Sequence, residues 1–288
     1  DYMYTKTSAY LLENTSRGYG FIGSFQINTT PVQGVNLTAA YTHTVSKELT
    51  GMPGSDAASA FTYIPSIYGP NNPVLHNSQY VTPDRYYVNL TLNDKSNNHY
   101  SFFYEAWRGG YNYSYMYSND LNGDNYNYDA IYIPTESDYS GGKVKFASAD
   151  DANRFFAYAK KDAYLSKHMG EYAEAYSVYS PWVHRLDFHY AHDFTVRVGN
   201  SKNTLQLSFD LQNAGNLFNS RWGVAKTWNT DVPHDTNGNA KILKYEGLDK
   251  DGVPTFSTMI DSGVKTWDYT HTLANCWYVQ IGLRYMFN

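Results

Sequence analysis

The C-terminal stretch CWYVQIGLRYMFN sets the strongest constraint on what this chain can fold into. Trp277, Val279, Ile281, Leu283, Tyr285 and Phe287 fall on one side of an extended chain, and Tyr278, Gln280, Gly282, Arg284 and Met286 fall on the other. One face is wholly apolar. Its length matches the nine to eleven residues of a tilted membrane strand, with Trp and Tyr near the ends, where amphipathic rings sit at a lipid–water boundary. The stretch TLQLSFDLQN repeats the period, with Leu205, Leu207, Phe209 and Leu211 on one face and Gln206, Ser208, Asp210 and Gln212 on the other. A buried sandwich strand alternates in the same way, so these two segments alone leave sandwich and barrel open.

The connections separate the two. Residues 19–28, 35–45, 86–93, 100–109 and 182–194 read as further strands of weaker contrast. Between them lie the short links TTPVQG, DKSNNH and TVRVGNSKN, and the long Tyr- and Gly-rich stretches 47–84, 111–181 and 214–275, far beyond ordinary loop lengths. Short and long alternate, as tight periplasmic turns alternate with large extracellular loops in outer-membrane barrels. The expected fold is therefore all-β, an antiparallel transmembrane β-barrel, with its final strand descending so that Phe287 lies at the periplasmic rim. A helix is expected over residues 148–169, with Ser148 as N-cap and Asp150 and Asp151 in its first turn, as an ornament on a loop rather than a domain. About seven strands are too few, and odd in number, for a closed single-chain barrel. Residues 1–288 accordingly read as the C-terminal part of a larger barrel, with the opening DYMYTKT as the end of an interrupted strand.

Composition bounds function. Thirty Tyr, six Trp and 17% charged residues favour strands. A net charge of -5, without a cluster of Lys and Arg, argues against a nucleic-acid partner. No apolar run is long enough for a transmembrane helix, and a mean hydropathy of -0.56 does not bear on a barrel, whose strands hide their membrane face by alternation. The single cysteine, Cys276, excludes an internal disulfide. The N-terminus shows no signal-peptide pattern, so the chain reads as mature or as a piece of a mature chain.

Asp120, Asn122 and Asp124 put oxygen ligands at alternate positions, with Asp129 following, a spacing that suits a structural Ca²⁺ or, equally, an Asx-rich turn capping its own backbone. Position six is Asn125 instead of Gly, and position twelve is Ile131 instead of Glu, so this is not an EF-hand. Glu105, Arg185, Asp187 and Asp210 are expected inside a lumen, packed on a plug or facing substrate. Trp107, Tyr111, Tyr113, Tyr115 and Tyr117 are candidates for stacking on sugar rings or gripping peptide side chains, or for an aromatic girdle. His184, Asp187, His189 and His192 invite a hydrolase reading, but strand periodicity divides them between faces, and no serine or metal-ligand partner stands at a telling spacing. An enzyme is not expected.

Taken in order, YVTPDR, SYMYSNDLNGDNYNYDAIYIP, SPWVHRLDFHYAHDF, LQLSFDLQNAGNLFNSRWG and YVQIGLRYMFN resemble the C-terminal barrel of TonB-dependent outer-membrane receptors, in particular the Oar-like group of Bacteroidota. Asp84 stands in YVTPDR where relatives often have His, and Asn288 follows the terminal aromatic. The resemblance implies a 22-stranded barrel in the bacterial outer membrane, closed around a plug and importing a substrate when the TonB complex pulls on that plug. The implied partners are the remainder of the barrel, the plug, outer-membrane lipid and a surface lipoprotein. No cofactor is required, and Tyr285 and Phe287 would carry the barrel-assembly signal. The alternative is an outer-membrane adhesion or structural barrel that binds a protein or glycan through its loops.

Overall fold

The computed structural model describes residues 9–51, 54 and 56–287. The interrupted strand expected in DYMYTKT, and Asn288, lie outside the described residues. In chain order the strands are β1 (Tyr19–Val32), β2 (Val35–Glu48), β3 (His76–Asn77), β4 (Asp84–Asn93), β5 (Asn98–Arg108), β6 (Ser114–Tyr117), β7 (Lys145–Phe146), β8 (Val183–Val198), β9 (Ser201–Gln212), β10 (Lys226–Trp228), β11 (Asn239–Leu248), β12 (Pro254–Thr258), β13 (Trp267–Tyr269) and β14 (Tyr278–Phe287). The helices are α1 (Ala57–Thr62), α2 (Glu136–Ser140), α3 (Ala149–Ala159) and α4 (Ala214–Phe218).

The fold is all-β. Seven long strands form one antiparallel sheet in the order β1-β2-β4-β5-β8-β9-β14, with β3 added beside the end of β2. Among the described residues the sheet is open, with β1 and β14 at its edges. Its tight turns all lie at one end and its long connections at the other. Three of these strands, β1, β8 and β9, run well past the ends that their sequence suggests. β8 and β9 continue pairing through Val196↔Asn203 and Val198↔Ser201, so only Gly199 and Asn200 remain to turn the chain. β1 continues to Val32, with a shift in register between Thr29 and Val32, around Pro31, which has no N–H to give to a ladder. The turn that follows needs Gly34: its φ is 84°, and a Cβ there would lie 2.3 Å from the Asn93 carbonyl oxygen. Aspartates shape other hairpins. Asp94 accepts from the N–H groups of Ser96 (2.8 Å) and Asn98 (2.9 Å), and Asp249 does the same for Asp251 (2.8 Å) and Val253 (2.9 Å).

Cross-strand register assigns each side chain to a face, because directly opposed residues point the same way. One row runs Phe25↔Tyr41↔Tyr86↔Ala106, a second runs Ala39↔Val88↔Tyr104↔Leu186, and a third runs Phe188↔Leu211↔Val279. The same face carries Phe209↔Ile281 and Leu207↔Leu283. This face is apolar through the middle rows of the sheet and open to its surroundings at both edge strands, where Phe25 is 66% exposed and Ile281 72%; toward the end with the long connections it also carries His43, Asp84, Arg108 and His184, Asp84 accepting from Tyr41 (2.7 Å) and Arg108 (2.8 Å).

The long connections are more than loops. Segments from 109–182 and 213–277 interleave into one domain external to the long sheet, at the end where its long connections lie, in which β6 pairs in parallel with β11, β11 pairs antiparallel with β12, and β12 pairs in parallel with β7. Its core holds Tyr115, Tyr117, Ile131, Phe155, Leu165 and Ile242, all fully enclosed. The helix α3 belongs to this core through Phe155, Phe156, Tyr158 and Ala159, so it is a structural member of a domain and not an ornament. Its start is where the sequence places it: Ser148 Oγ accepts from the Asp151 N–H at 3.0 Å. It ends at Ala159, well short of residue 169, because Asp162 draws the next turn onto its own carboxylate, accepting from Tyr164 (2.9 Å) and Leu165 (2.8 Å).

Candidate functional site

The opposite face of the long sheet is polar and cross-linked. Tyr87 donates to Gln26 (3.0 Å), Arg85 pairs with Glu105, and Glu105 stands directly across from Arg185. Arg185 reaches Asp187 (3.2 Å) and Gln212 (3.0 Å), while the carboxylate of Asp187 also accepts from the Asn213 N–H at 2.7 Å. His189 Nδ1 lies 2.6 Å from Asp210, and Asp193 joins Gln206 (2.8 Å) to His99 (3.3 Å). Glu105, Arg185, Asp187 and Asp210 thus share one face and are each engaged within the sheet. Ion pairs of this kind, half exposed, fix side-chain positions more than they stabilise the fold.

The aromatic candidates separate. Trp107 lies on the polar face, across from Arg85 and Val183. Tyr111 makes edge contacts with Tyr80 (5.6 Å) and Tyr113 (5.2 Å). Tyr113 itself is 7% exposed, packed edge-on to Trp228 (5.1 Å) and Trp267 (5.4 Å), and Tyr115 and Tyr117 are fully enclosed. These three are core residues of the external domain and have no face left for a ligand or a membrane girdle. Other rings are exposed at that end of the sheet: Trp182, Trp222 and Trp277 lie near the ends of β8, β9 and β14 that carry the long connections.

In the Asp120 loop the oxygens are largely turned on the backbone. Asp120 accepts from the N–H groups of Asn122 (3.1 Å), Gly123 (2.7 Å) and Asn125 (2.8 Å), Asn122 from Asp124 (2.9 Å), and Asp124 from Tyr126 (2.9 Å). Asp129 accepts from the Leu121 N–H at 2.8 Å and from the Asn122 side-chain amide at 3.2 Å. An amide hydrogen aimed at Asp129 is the opposite of what a cation would ask of that pair. Burial pushes the Asp129 carboxyl up to about 6, with Asp124 and Asp120 adding repulsion against the bond from Leu121. Among the described residues no group of three or more His, Cys, Asp or Glu side chains is arranged to hold a metal ion.

The histidines also part company. His184 Nδ1 lies 2.7 Å from the Tyr104 hydroxyl on the apolar side, His189 faces Asp210 on the polar side, and His192 lies 2.7 Å from Asn98 Oδ1. Cys276 is exposed beside the Thr272 carbonyl. Comparison with known families, with curated proteins and with solved structures gave no match.

One concave site escaped the sequence. A cleft of about 760 Å³ opens at the external end of β1 and β2, lined by residues 9–15, Arg17, α1 and the segments 64–67 and 173–175. Its residues come from distant segments without a shared motif. The only sequence signal is the closely spaced prolines Pro65, Pro70 and Pro73, which mark an irregular chain able to wall a hollow.

Proposed function

We propose that this chain is a section of a TonB-dependent outer-membrane receptor barrel, acting in active uptake of a substrate through a plugged pore. The observation that carries the reading is the two-faced register of the long sheet: a face apolar through its middle rows on one side, a hydrogen-bonded polar face on the other, and every long connection at the same end. Lipid explains the first face and an aqueous, plug-filled lumen explains the second. No helix among the described residues is long and apolar enough to cross a membrane, which leaves crossing by strands untouched. Among the described residues β1 and β14 each have one unpaired edge, which favours further strands beside them, since an open edge at membrane depth leaves N–H and C=O groups costing several kcal/mol each. The reading assigns Glu105, Arg185, Asp187 and Asp210 to the lumen, and Tyr285 and Phe287 to the periplasmic end that would guide assembly.

A second reading has one observation in its favour. The external domain has its own core, so it presents a rigid surface of the kind an adhesion or structural barrel would use to hold a protein or glycan. Spin labels at positions 278–287, in the intact protein reconstituted in lipid, test the membrane assignment common to both. Collision with oxygen should peak at positions 279, 281 and 283, and collision with a water-soluble relaxant at 278, 280 and 284. A profile without that alternation would end the barrel reading. Separating uptake from adhesion needs the intact protein in cells: loss of accumulation when TonB is deleted favours transport, and retained surface binding without accumulation favours the rival.

A further inference from the structure

The apolar face of the long sheet has one charged row. Gly23↔His43↔Asp84↔Arg108 crosses the neighbouring strands β1, β2, β4 and β5 at the end with the long connections. Asp84 is nearly buried and holds the row together: His43 Nδ1 lies 3.0 Å from its Oδ1, the Tyr41 hydroxyl donates to the same oxygen at 2.7 Å, and Arg108 Nε donates to Oδ2 at 2.8 Å. The guanidinium of Arg108 also lies against two rings, 5.2 Å from Tyr179 and 6.0 Å from Trp182. It is therefore fixed from two sides, while its Nη1 and Nη2 groups have no acceptor among the described residues. Nε2 of His43 and of His184 is likewise without a partner among the described residues. The next charges at this end, Lys47 and Glu174, satisfy each other.

A guanidinium held by a carboxylate at Nε, with its outer N–H groups free, matches the oxygens of a phosphate. What carries that phosphate follows from three placements. β2, β4 and β5 are each paired on both sides, so no additional strand covers this row. From Asp84 to Leu92 the strand β4 covers about 26 Å, or about 20 Å of height at a tilt of about 40°, which sets the Asp84 row near one margin of a lipid-facing band about 25 Å tall. On the same face, the next rows toward the middle of the sheet carry Tyr86, with Trp182 at 5.5 Å, and Val88, apolar neighbours suited to acyl chains. We infer that Arg108, assisted by His43, binds the phosphate of a membrane lipid whose chains lie over Tyr86 and Val88. An imidazole between the Asp84 carboxylate and a phosphate carries both ring protons, so that His43 donates to Asp84 from Nδ1 and to the phosphate from Nε2. The inference rests on the membrane reading of the sheet in taking a lipid as the source of the phosphate.

The test is calorimetric titration of the intact protein in maltoside micelles with dihexanoyl phosphatidic acid, beside uncharged dihexanoylglycerol and inorganic phosphate. Phosphatidic acid should bind about tenfold or more tightly than either control, since the first lacks the anion and the second the chains. Arg108→Gln should weaken phosphatidic acid about tenfold or more and His43→Gln about threefold, with the binding of dihexanoylglycerol unchanged in both. Because Arg108→Gln leaves the Asp84 carboxylate without its cation, Asp84→Asn is combined with it in a second variant, which removes the unpaired charge and should show the same loss. Arg284→Gln, on the polar face, should change nothing. Phosphatidic acid binding no more tightly than dihexanoylglycerol, inorganic phosphate binding as tightly as the lipid, affinity kept in the Asp84→Asn, Arg108→Gln variant, an equal loss in Arg284→Gln, or no binding of any probe would overturn the proposal. The titration uses no bilayer, so its failure would leave the spin-label alternation standing, and loss of that alternation would overturn the membrane reading without touching the isotherms.

Discussion

Replacing Leu283 by Arg would put a cation near the middle of the apolar band. From Trp277 to Phe287 the strand covers about 33 Å at ~3.3 Å per residue. A tilt of about 40° leaves a height of about 25 Å, which is the height of a lipid-facing band. Leu283 sits close to the midpoint, opposite Leu207, and 71% of it is exposed. An Arg at that depth facing lipid costs about 2–4 kcal/mol, a factor of roughly 30 to 900 in the folding equilibrium. In water the same substitution at so exposed a position would stay within about 0.5 kcal/mol. The control is Gln280→Arg on the polar face, where the new guanidinium meets Asp210 across the strands and should cost less than about 0.5 kcal/mol. Urea titration of the intact protein in lipid vesicles, followed by Trp emission, measures both. If Leu283→Arg folds as well as the parent, or Gln280→Arg loses as much, the assignment of faces is wrong.

The external domain supplies further predictions. The Asp129 carboxyl, raised to about 6, stabilises the fold most when protonated; that contribution is complete below about pH 4 and is lost as pH rises through 6. On the order of 2–3 kcal/mol separates the two ends, and Asp129→Asn should flatten the melting temperature across pH 4 to 8, while a rise in the parent's melting temperature on adding Ca²⁺ at pH 7.5 would contradict the Asx-turn account. Asp138 behaves oppositely: its capping-box bond from the Thr135 N–H, with help from Lys143, lowers it to about 2. Its contribution is present above about pH 4 and lost as pH falls through 2, and Asp138→Ala should cost about 1 kcal/mol at pH 7, read by thermal unfolding. Trp228 lies stacked on Trp267 at 4.8 Å and beneath Tyr113, so Trp228→Ala should cost about 3–5 kcal/mol and remove the coupled near-UV circular dichroism of the pair; an unchanged spectrum would count against that packing.

The long sheet was largely readable because each strand sees a two-sided environment, and a period of two is the direct imprint of that on sequence. β9 and β14 show it cleanly. In β1 and β2 the imprint fades, since Thr and Ala occur on both faces, and the ends of β8 and β9 were obscured by Arg197 and Lys202, whose polarity resembles a turn although they pair across the ladder. The external domain was illegible for a different reason. Its strands are short, its parallel pairs join residues more than a hundred positions apart, such as Ser114 with Asn239, and tyrosine serves alike as core, rim and surface. Tyr115 and Tyr80 look equivalent in sequence, yet one is fully enclosed and the other exposed. The Asp120 loop was legible as an Asx-rich element but not in its partners, because the Asn122 amide and the Leu121 N–H that engage Asp129 depend on how the loop closes. The cleft beside β1 and β2 left only the spacing of Pro65, Pro70 and Pro73 as a trace in the sequence.

The interleaving of β6 with β11 also sets an order of events in folding. β11 cannot find β6 until β8 and β9, which lie between them in sequence, have been made, and β7 waits on β12 in the same way. Closing such long loops is entropically slow. The external domain should therefore consolidate last, after the sheet has brought its two contributing segments to one rim. A chain halted before residue 239 would hold most of the meander and none of the β6–β11 ladder, a state in which proteases could cut the outer segments while the sheet survives.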